Sequence, residues 1–414
     1  MAPSPRRGTH RWTLACLALC ATMTTANDVP AAEYFSEYGM MSHHMTMLLD
    51  VGRMQAYRSA ILNDAAHFKD KVVLDVGTGT GVLAIWAAEA GARRVYAVEQ
   101  SSEVAECART MAAHHGVADV VEVLEGAMEE LNVPEKVDVI VSEWMGYFLV
   151  RESMAKSVIY ARDTYLKPGG AMYPSHARLL LAPLDAGVFT ERRVDEILEH
   201  MGSFDEIAPQ LTEATGIDLT PLRETYYAEF LRDVFRNAWI GPVPAEDVHA
   251  NSAVALLDVD MATATADELL EWSRTVEFEE KAIDGLVAWF DVRFAAFAAG
   301  DDVVWLDTSP GTETHWGQCA FLVSPWLEGS FVASLAPKPD ARHDLDFTLL
   351  YTPSASADGE PPEEVAATYA ITAEVRGFGD VDEDLGDLDD LSPYGEPYDD
   401  APYAEAAYAE EPEL

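Results

Sequence analysis

Along this chain, short apolar runs of strand length alternate with glycine-marked turns and alanine-rich stretches. Val72-Val73-Leu74-Asp75-Val76 is almost continuously apolar; Gly77-Thr78-Gly79-Thr80-Gly81 follows, and then the alanine-rich segment from Val82 to Ala90. That succession predicts a strand buried in a parallel sheet, a tight turn and a covering helix, the opening of a Rossmann-like βα unit. Arg94 to Glu99 and Val120 to Leu124 repeat the strand pattern, so about Lys71 to Leu166 reads as alternating strands and helices. Lys167-Pro168-Gly169-Gly170 then reads as a sharp break. Beyond it, Ala177 to Pro183, Ala253 to Asp260, Leu286 to Phe294, Ala320 to Ser324, Phe331 to Leu335, Leu345 to Tyr351 and Ala367 to Val375 read as strands with little helix between them. These predict an antiparallel β domain. Only Val188 to Trp239, between the first two of these strands, is helix-rich.

Both ends differ in kind from this middle. Arg6, Arg7 and Arg11 precede an apolar run from Trp12 to Met23 and the small residues Thr24-Thr25-Ala26, so 1–27 resembles a secretory signal peptide. The run is too short for a membrane span in the mature chain. An uncleaved extension or an organelle-targeting piece remain open, with a cytoplasmic or nuclear location favoured. Cysteine usage does not favour secretion: Cys16 and Cys20 lie in this leader, leaving only Cys107 and Cys319 and no disulfide framework. From Asp380 onward the chain is acidic, with tyrosines among Pro, Ala and Glu, a composition that buries no core and predicts a disordered tail over 380–414.

The 414 residues carry a formal net charge of −45. A nucleic-acid binder needs a basic face, so the charge argues against one and for basic partners. Solubility alone, or adaptation to high salt, would also produce such a charge. No Cys/His cluster has metal-ligand spacing.

The candidate chemistry lies in Ser142-Glu143-Trp144-Met145-Gly146-Tyr147-Phe148-Leu149-Val150-Arg151-Glu152-Ser153-Met154. Two carboxylates stand in apolar surroundings too rich for a solvated loop, which predicts a walled pocket. Arginine keeps its proton up to a pKa above ~12, and carboxylates on either side would clamp its guanidinium in forked pairs and draw its charge to one side. The glycine spacing is G-x-G-x-G and not the dinucleotide G-x-G-x-x-G, which favours S-adenosylmethionine over NAD. In such a turn Asp75 would help orient the cofactor's ammonium, with Gly77 and Gly79 giving the close approach. Glu99 stands at a strand end where ribose hydroxyls bind.

At this point the chain resembles the protein arginine methyltransferases, whose double-glutamate loop reads SExWMGYxLxxESM. The resemblance implies a Rossmann-like methyltransferase domain, then an antiparallel β-barrel with a helical dimerisation arm at about 188–239. It divides the chain into lid helices at 28–70, a cofactor domain at 71–168 and a substrate domain at 169–379. It implies S-adenosyl-L-methionine as cofactor, Arg-rich basic proteins as substrates and a homodimer. By resemblance Glu143 and Glu152 are the catalytic acids, and His315 of Thr314-His315-Trp316 is the partner of Asp50. His44, Arg53 and Glu129 join the cofactor residues; on spacing alone Glu129 and Glu130 remain alternatives, and His43-His44 would read as a capping or solvated pair. Tyr38, Met47, Tyr147, Met154 and Trp316 line the substrate pocket. Met47, Met154 and the Thr-His-Trp loop match the type I branch, which makes asymmetric dimethylarginine. The lid departs from the family, with Met45 and Thr46 where an acidic pair is usual and Gly52 in place of an acid. Two other readings stay open: another Rossmann-like methyltransferase, acting on lysine, a small molecule or nucleic acid, or an inactive dimeric scaffold for basic partners.

Overall fold

A computed structural model describes residues 40–152, 154–185, 204–227, 237–279, 283–294, 303–338, 343–353 and 364–371. The leader at 1–27, Tyr38, the first part of the helix-rich segment and the tail at 380–414 lie outside them. Three helices come first: α1 (Met41–Leu49), α2 (Val51–Leu62) and the single turn α3 (Ala65–Phe68). They lead into β1 (Val72–Val76), whose five side chains are all buried, as its near-continuous apolar pattern requires.

β1 is the centre of a five-stranded parallel sheet in the order β3-β2-β1-β4-β5, formed by β2 (Arg94–Glu99), β3 (Val121–Glu125), β4 (Val137–Val141) and β5 (Leu166–Tyr173). Parallel neighbours need crossovers, and α4 (Val82–Glu89), α5 (Ser102–His114) and α6 (Ala155–Tyr165) lie between successive strands. The chain winds outward to β3 and returns on the other side of β1, so the winding reverses between β1 and β4. At such a reversal the carboxyl ends of the strands leave a crevice, the usual ligand site of an open α/β sheet.

Lys167-Pro168-Gly169-Gly170 does not break the sheet; it lies inside β5. Leu166 still pairs with Val137, and Ala171 to Tyr173 pair with Val139 to Val141 after a register shift. The additional residues are absorbed where Gly169 takes a φ of 77° and Gly170 passes so close to Asp138 that a Cβ would sit 2.8 Å from its carbonyl oxygen. Local turn composition is overridden by the ladder on either side.

Among the described residues the second half of the chain forms a nine-stranded antiparallel sheet. The main path is β14 (Val365–Ile371), β13 (Leu345–Pro353), β12 (Gln318–Pro337), β10 (Ile283–Phe294), β6 (His176–Pro183) and β8 (Val254–Asp260). Three short strands join it: β11 (Val304–Asp307) on β10, and β7 (Trp239–Gly241) and β9 (Trp272–Glu277) on β12. The runs Ala320 to Ser324 and Phe331 to Leu335 prove to be one strand of 20 residues, with a register shift between Leu327 and Phe331 where Pro325 and Gly329 suggest an interruption. The first part of β12 pairs with β7 and β10, the last part with β9 and β13, so this single strand turns the corner between two sets of neighbours.

In the helix-rich segment, residues 204–215 and 223–227 are helical. Phe204 stacks on Tyr226 with ring centroids 5.2 Å apart, and Arg223 grips Asp205 with two hydrogen bonds of 2.7 Å, which ties the two pieces together. Ile207, Leu211, Ile217 and Leu222 remain exposed on it. No helix of the described residues is long and apolar enough to cross a membrane.

Candidate active site

The crevice beyond β1 is lined by the glycine turn. Gly77, Gly79 and Gly81 all have positive φ (71°, 56° and 89°), which lets the chain turn within three residues and enter α4. Beneath them Asp75 is fully buried, and one carboxylate oxygen accepts the Thr78 hydroxyl at 2.6 Å. Burial pushes its pKa up to about 7, against the opposing effects of the Thr78 hydroxyl and the Ala84 backbone N–H. Its other oxygen, Oδ1, has no hydrogen-bond partner among the described residues. A buried acceptor without a donor is costly, and an ammonium group arriving in the crevice would satisfy it. Glu99 at the end of β2 accepts the N–H of Gly79 at 3.0 Å and of Ser101 at 2.9 Å, which fixes its carboxylate at the rim. The buried His44 lies over the turn: a Cβ on Gly79 would come 3.4 Å from its ring. Met154 lies over Gly77, where a Cβ would fall 2.2 Å from its terminal methyl. Glu129 stands further out, exposed, and accepts the Ser157 hydroxyl at 2.7 Å. A buried acceptor for an ammonium, a carboxylate for a diol and glycines for close approach fit S-adenosylmethionine.

The two acids flank one tight hairpin. Ser142 anchors its start: the hydroxyl donates to the carbonyl of Val76 at 2.7 Å, and the Tyr57 hydroxyl donates to the Ser142 carbonyl at 3.0 Å. Gly146 N–H donates to Leu149 and Arg151 N–H to Tyr147, each at 3.0 Å. Phe148, Leu149 and Glu152 have positive φ (54°, 65° and 95°), a concentration of strain of the kind found at functional loops. Gly146 is obligatory here because a Cβ would fall 1.8 Å from the Arg151 carbonyl oxygen. The strain is held by packing on the β domain: the Phe148 ring lies 5.0 Å from that of Phe347 and 5.8 Å from that of Phe321.

Each acid already holds a guanidinium. Arg53 donates from Nε and Nη2 to Glu143 Oε2 at 3.1 and 3.0 Å, and from Nη1 to the Met47 carbonyl at 3.0 Å. Arg151 donates from Nη1 to Glu152 Oε1 at 3.2 Å. Arg53, expected to pair a cofactor carboxylate, is thus in contact with Glu143. Tyr147, between the two acids in sequence, has its pKa raised to about 12 by burial and then by the charge of Glu152.

Asp50 stands between α1 and α2 and caps α2, accepting the Arg53 N–H at 2.9 Å. Its second oxygen accepts from His315, through the backbone N–H at 3.0 Å and Nδ1 at 2.7 Å. Burial alone would raise the Asp50 pKa, but the bonds from His315 and Arg53 win and hold it below the usual carboxylate value. Trp316 is buried and donates its indole N–H to the Met145 carbonyl at 2.9 Å, tying the Thr-His-Trp loop to the acid hairpin. Asp50, Arg53, Met47, Glu143 and His315 form one connected group; Asp75, Thr78, Glu99, His44 and Met154 surround the glycine turn. Tyr38 lies outside the described residues.

Several residues of the site carry no sequence signal of their own. Tyr57 reads as one tyrosine in a lid helix, and Arg151 as a neighbour of Glu152. His343 and Asp344 come from 191 or more residues further along the chain: His343 bonds the backbone of Glu152 and Asp344 the guanidinium of Arg151. Among the described residues no group of three His, Cys, Asp or Glu side chains is arranged to hold a metal ion.

Two family descriptions match the chain: "Methyltransferase domain" over residues 73–170 and "Arginine methyltransferase oligomerization subdomain" over 206–356. Protein arginine N-methyltransferase PRMT10 of Oryza sativa subsp. japonica is 43% identical over 337 residues, 78% of this chain and 88% of that one. The PRMT10 of Arabidopsis thaliana is 36% identical over 357 residues, covering 83% and 92%. Among solved structures, Arabidopsis thaliana protein arginine methyltransferase 10, described as uniquely open, has a TM-score of 0.69 at 35% identity, covering 82% of this chain and 100% of that one. The Trypanosoma brucei PRMT1 enzyme-prozyme heterotetramer with AdoHcy has a TM-score of 0.65 at 30% identity, covering 81% and 100%.

Proposed function

This chain belongs to the protein arginine N-methyltransferase family and is an S-adenosylmethionine-dependent enzyme, and on that premise we propose that it is a type I enzyme acting on Arg-rich basic proteins as a homodimer. When bound, the cofactor supplies an electrophilic methyl group on a sulfonium. The chain's residues do the rest by position and charge. Asp75 would hold the cofactor ammonium, Glu99 the ribose hydroxyls and Glu129 the base. Arg53 would pair the methionine carboxylate, leaving Glu143 to the substrate.

Glu143 and Glu152 would hold the substrate guanidinium and localise its charge, so that one terminal nitrogen could take the methyl in line as the C–S bond breaks and S-adenosylhomocysteine leaves. His315, oriented through Nδ1 by the Asp50 carboxylate, takes or relays the proton released on methylation. Met47, Met154, Tyr147 and Trp316 would bound the substrate pocket. The single observation that carries this reading is that both acids are already engaged by guanidinium groups, those of Arg53 and Arg151. Glu143 receives two N–H groups of one guanidinium and Glu152 one of another, partners for which acids serving a lone amine would have no use.

Incubation with labelled cofactor and a Gly-Arg-rich peptide, followed by fragmentation mass spectrometry, tests the product type. Monomethylarginine followed by dimethylarginine that loses dimethylamine is expected. Loss of monomethylamine from a dimethylated residue would sink the type I assignment, and a product confined to lysine would sink the guanidinium clamp.

A further inference from the structure

Glu152 is held from a distant part of the chain. Its backbone takes a φ of 95°, which an L-residue adopts at a cost. Two hydrogen bonds from one residue keep it there: the Glu152 N–H donates to the His343 carbonyl at 3.0 Å, and His343 Nδ1–H donates back to the Glu152 carbonyl at 3.0 Å. That second bond fixes the imidazole tautomer with its proton on Nδ1. The neighbouring Arg151 is buried, only 3% exposed, and its guanidinium lies between two carboxylates. Nη1 donates to Glu152 at 3.2 Å, while Nε and Nη2 donate to Asp344 Oδ1 at 3.4 and 3.3 Å. Asp344 is itself anchored through its carbonyl, which accepts the Lys338 N–H at 3.0 Å.

Arg151 poses a chemical difficulty that Asp344 resolves. A buried guanidinium beside a clamp for guanidinium is a built-in competitor for the acid that the substrate needs. A buried cation that loses one of two acidic partners turns more strongly to the other, because an unpaired charge in the interior is expensive. We propose that His343 and Asp344 are positioning residues for Glu152: His343 clips its backbone in the left-handed conformation, and Asp344 shares the Arg151 guanidinium through Nε and Nη2, weakening its hold on Glu152 so that a substrate guanidinium can displace it. The inference rests on the reading of Glu152 as a guanidinium-holding acid.

The test measures binding of a fluorescent Gly-Arg-rich peptide in the presence of S-adenosylhomocysteine, together with steady-state kinetics, in the full chain. Asp344→Asn should weaken peptide binding and raise KM roughly tenfold to hundredfold, the scale of one charge-assisted hydrogen bond. Its kcat should fall less, and its affinity for S-adenosylhomocysteine should stay within about twofold of the native value, since no cofactor contact is touched. Arg151→Met placed on top of Asp344→Asn should restore most of the peptide affinity, because the competitor is gone. Asp344→Glu, which keeps the charge, should stay within about threefold of native. A merely structural Asp344 would give the opposite pattern: a double variant as weak as the single one or weaker. That result, or native KM in Asp344→Asn, would overturn the proposal. A native chain that binds no arginine peptide would overturn the functional reading itself, and this inference with it.

Discussion

A carboxylate at this site does its work through the partners around it. Glu152→Gln should leave the chain folded and binding cofactor but cut turnover by about two orders of magnitude or more, since a neutral amide cannot hold the guanidinium charge. Near-native turnover at saturating cofactor would remove the double-acid mechanism. Asp75 makes a prediction in pH. Its folded pKa, raised from 3.8 to about 7 by burial, means that the folded chain binds a proton there which the unfolded chain has already released. The linked contribution to stability is therefore fully present below the unfolded value and is lost as pH rises through about 7, by on the order of 4 kcal/mol at most. In the cofactor-free enzyme, thermal stability should decline between about pH 4 and 7, and Asp75→Asn should flatten much of that decline. Cofactor affinity should move the other way, strengthening as the carboxylate ionises and attracts the ammonium; an unchanged pH profile in Asp75→Asn would exclude this role.

At the scale of elements, the acid hairpin is strained, and the β domain supports it through Phe148 and the Trp316 hydrogen bond. The other element with an open requirement is the helical pair at 204–227. Ile207, Leu211, Ile217 and Leu222 expose more apolar surface than a solvated hairpin needs, and the oligomerisation family description begins at residue 206. Ile207→Glu with Leu211→Glu should convert dimers into monomers in light scattering, with a loss of activity of tenfold or more expected if the second copy steadies the lid helices. A fully active monomer would dismiss the arm's role in catalysis.

Charge governs how the whole molecule acts at a distance. A formal net charge of −45 sets up a field that gathers basic peptides, and salt screens it over about 8 Å at physiological strength. Raising salt from about 50 to 500 mM should therefore increase KM for a Gly-Arg-rich peptide several-fold while kcat changes little. A neutral arginine peptide should show a much shallower dependence. Equal salt dependence for the two would assign the charge to solubility alone.

Sequence determined what repeats locally or sits within one short segment. The apolar run of β1 with its G-x-G-x-G turn, the acid pair spaced within one loop, and the strand-length runs of β6, β8 and β10 were all legible, because run length, turn chemistry and loop composition act over a few residues. Lys167 to Gly170 and Pro325 to Gly329 misled for the same reason: local punctuation was overruled by ladders formed with strands elsewhere. The partners of the acids belong to the tertiary structure. Asp50 meets His315 across 265 positions, a pair foreshadowed by the family resemblance alone, and Arg151 meets Asp344 across 193 with nothing in the sequence to announce it. Neither pair leaves a periodicity to read. Which guanidinium occupies Glu143, which oxygen of Asp75 stays open and which residue clips Glu152 are decided only when the β domain packs against the parallel sheet and brings its loops over the crevice.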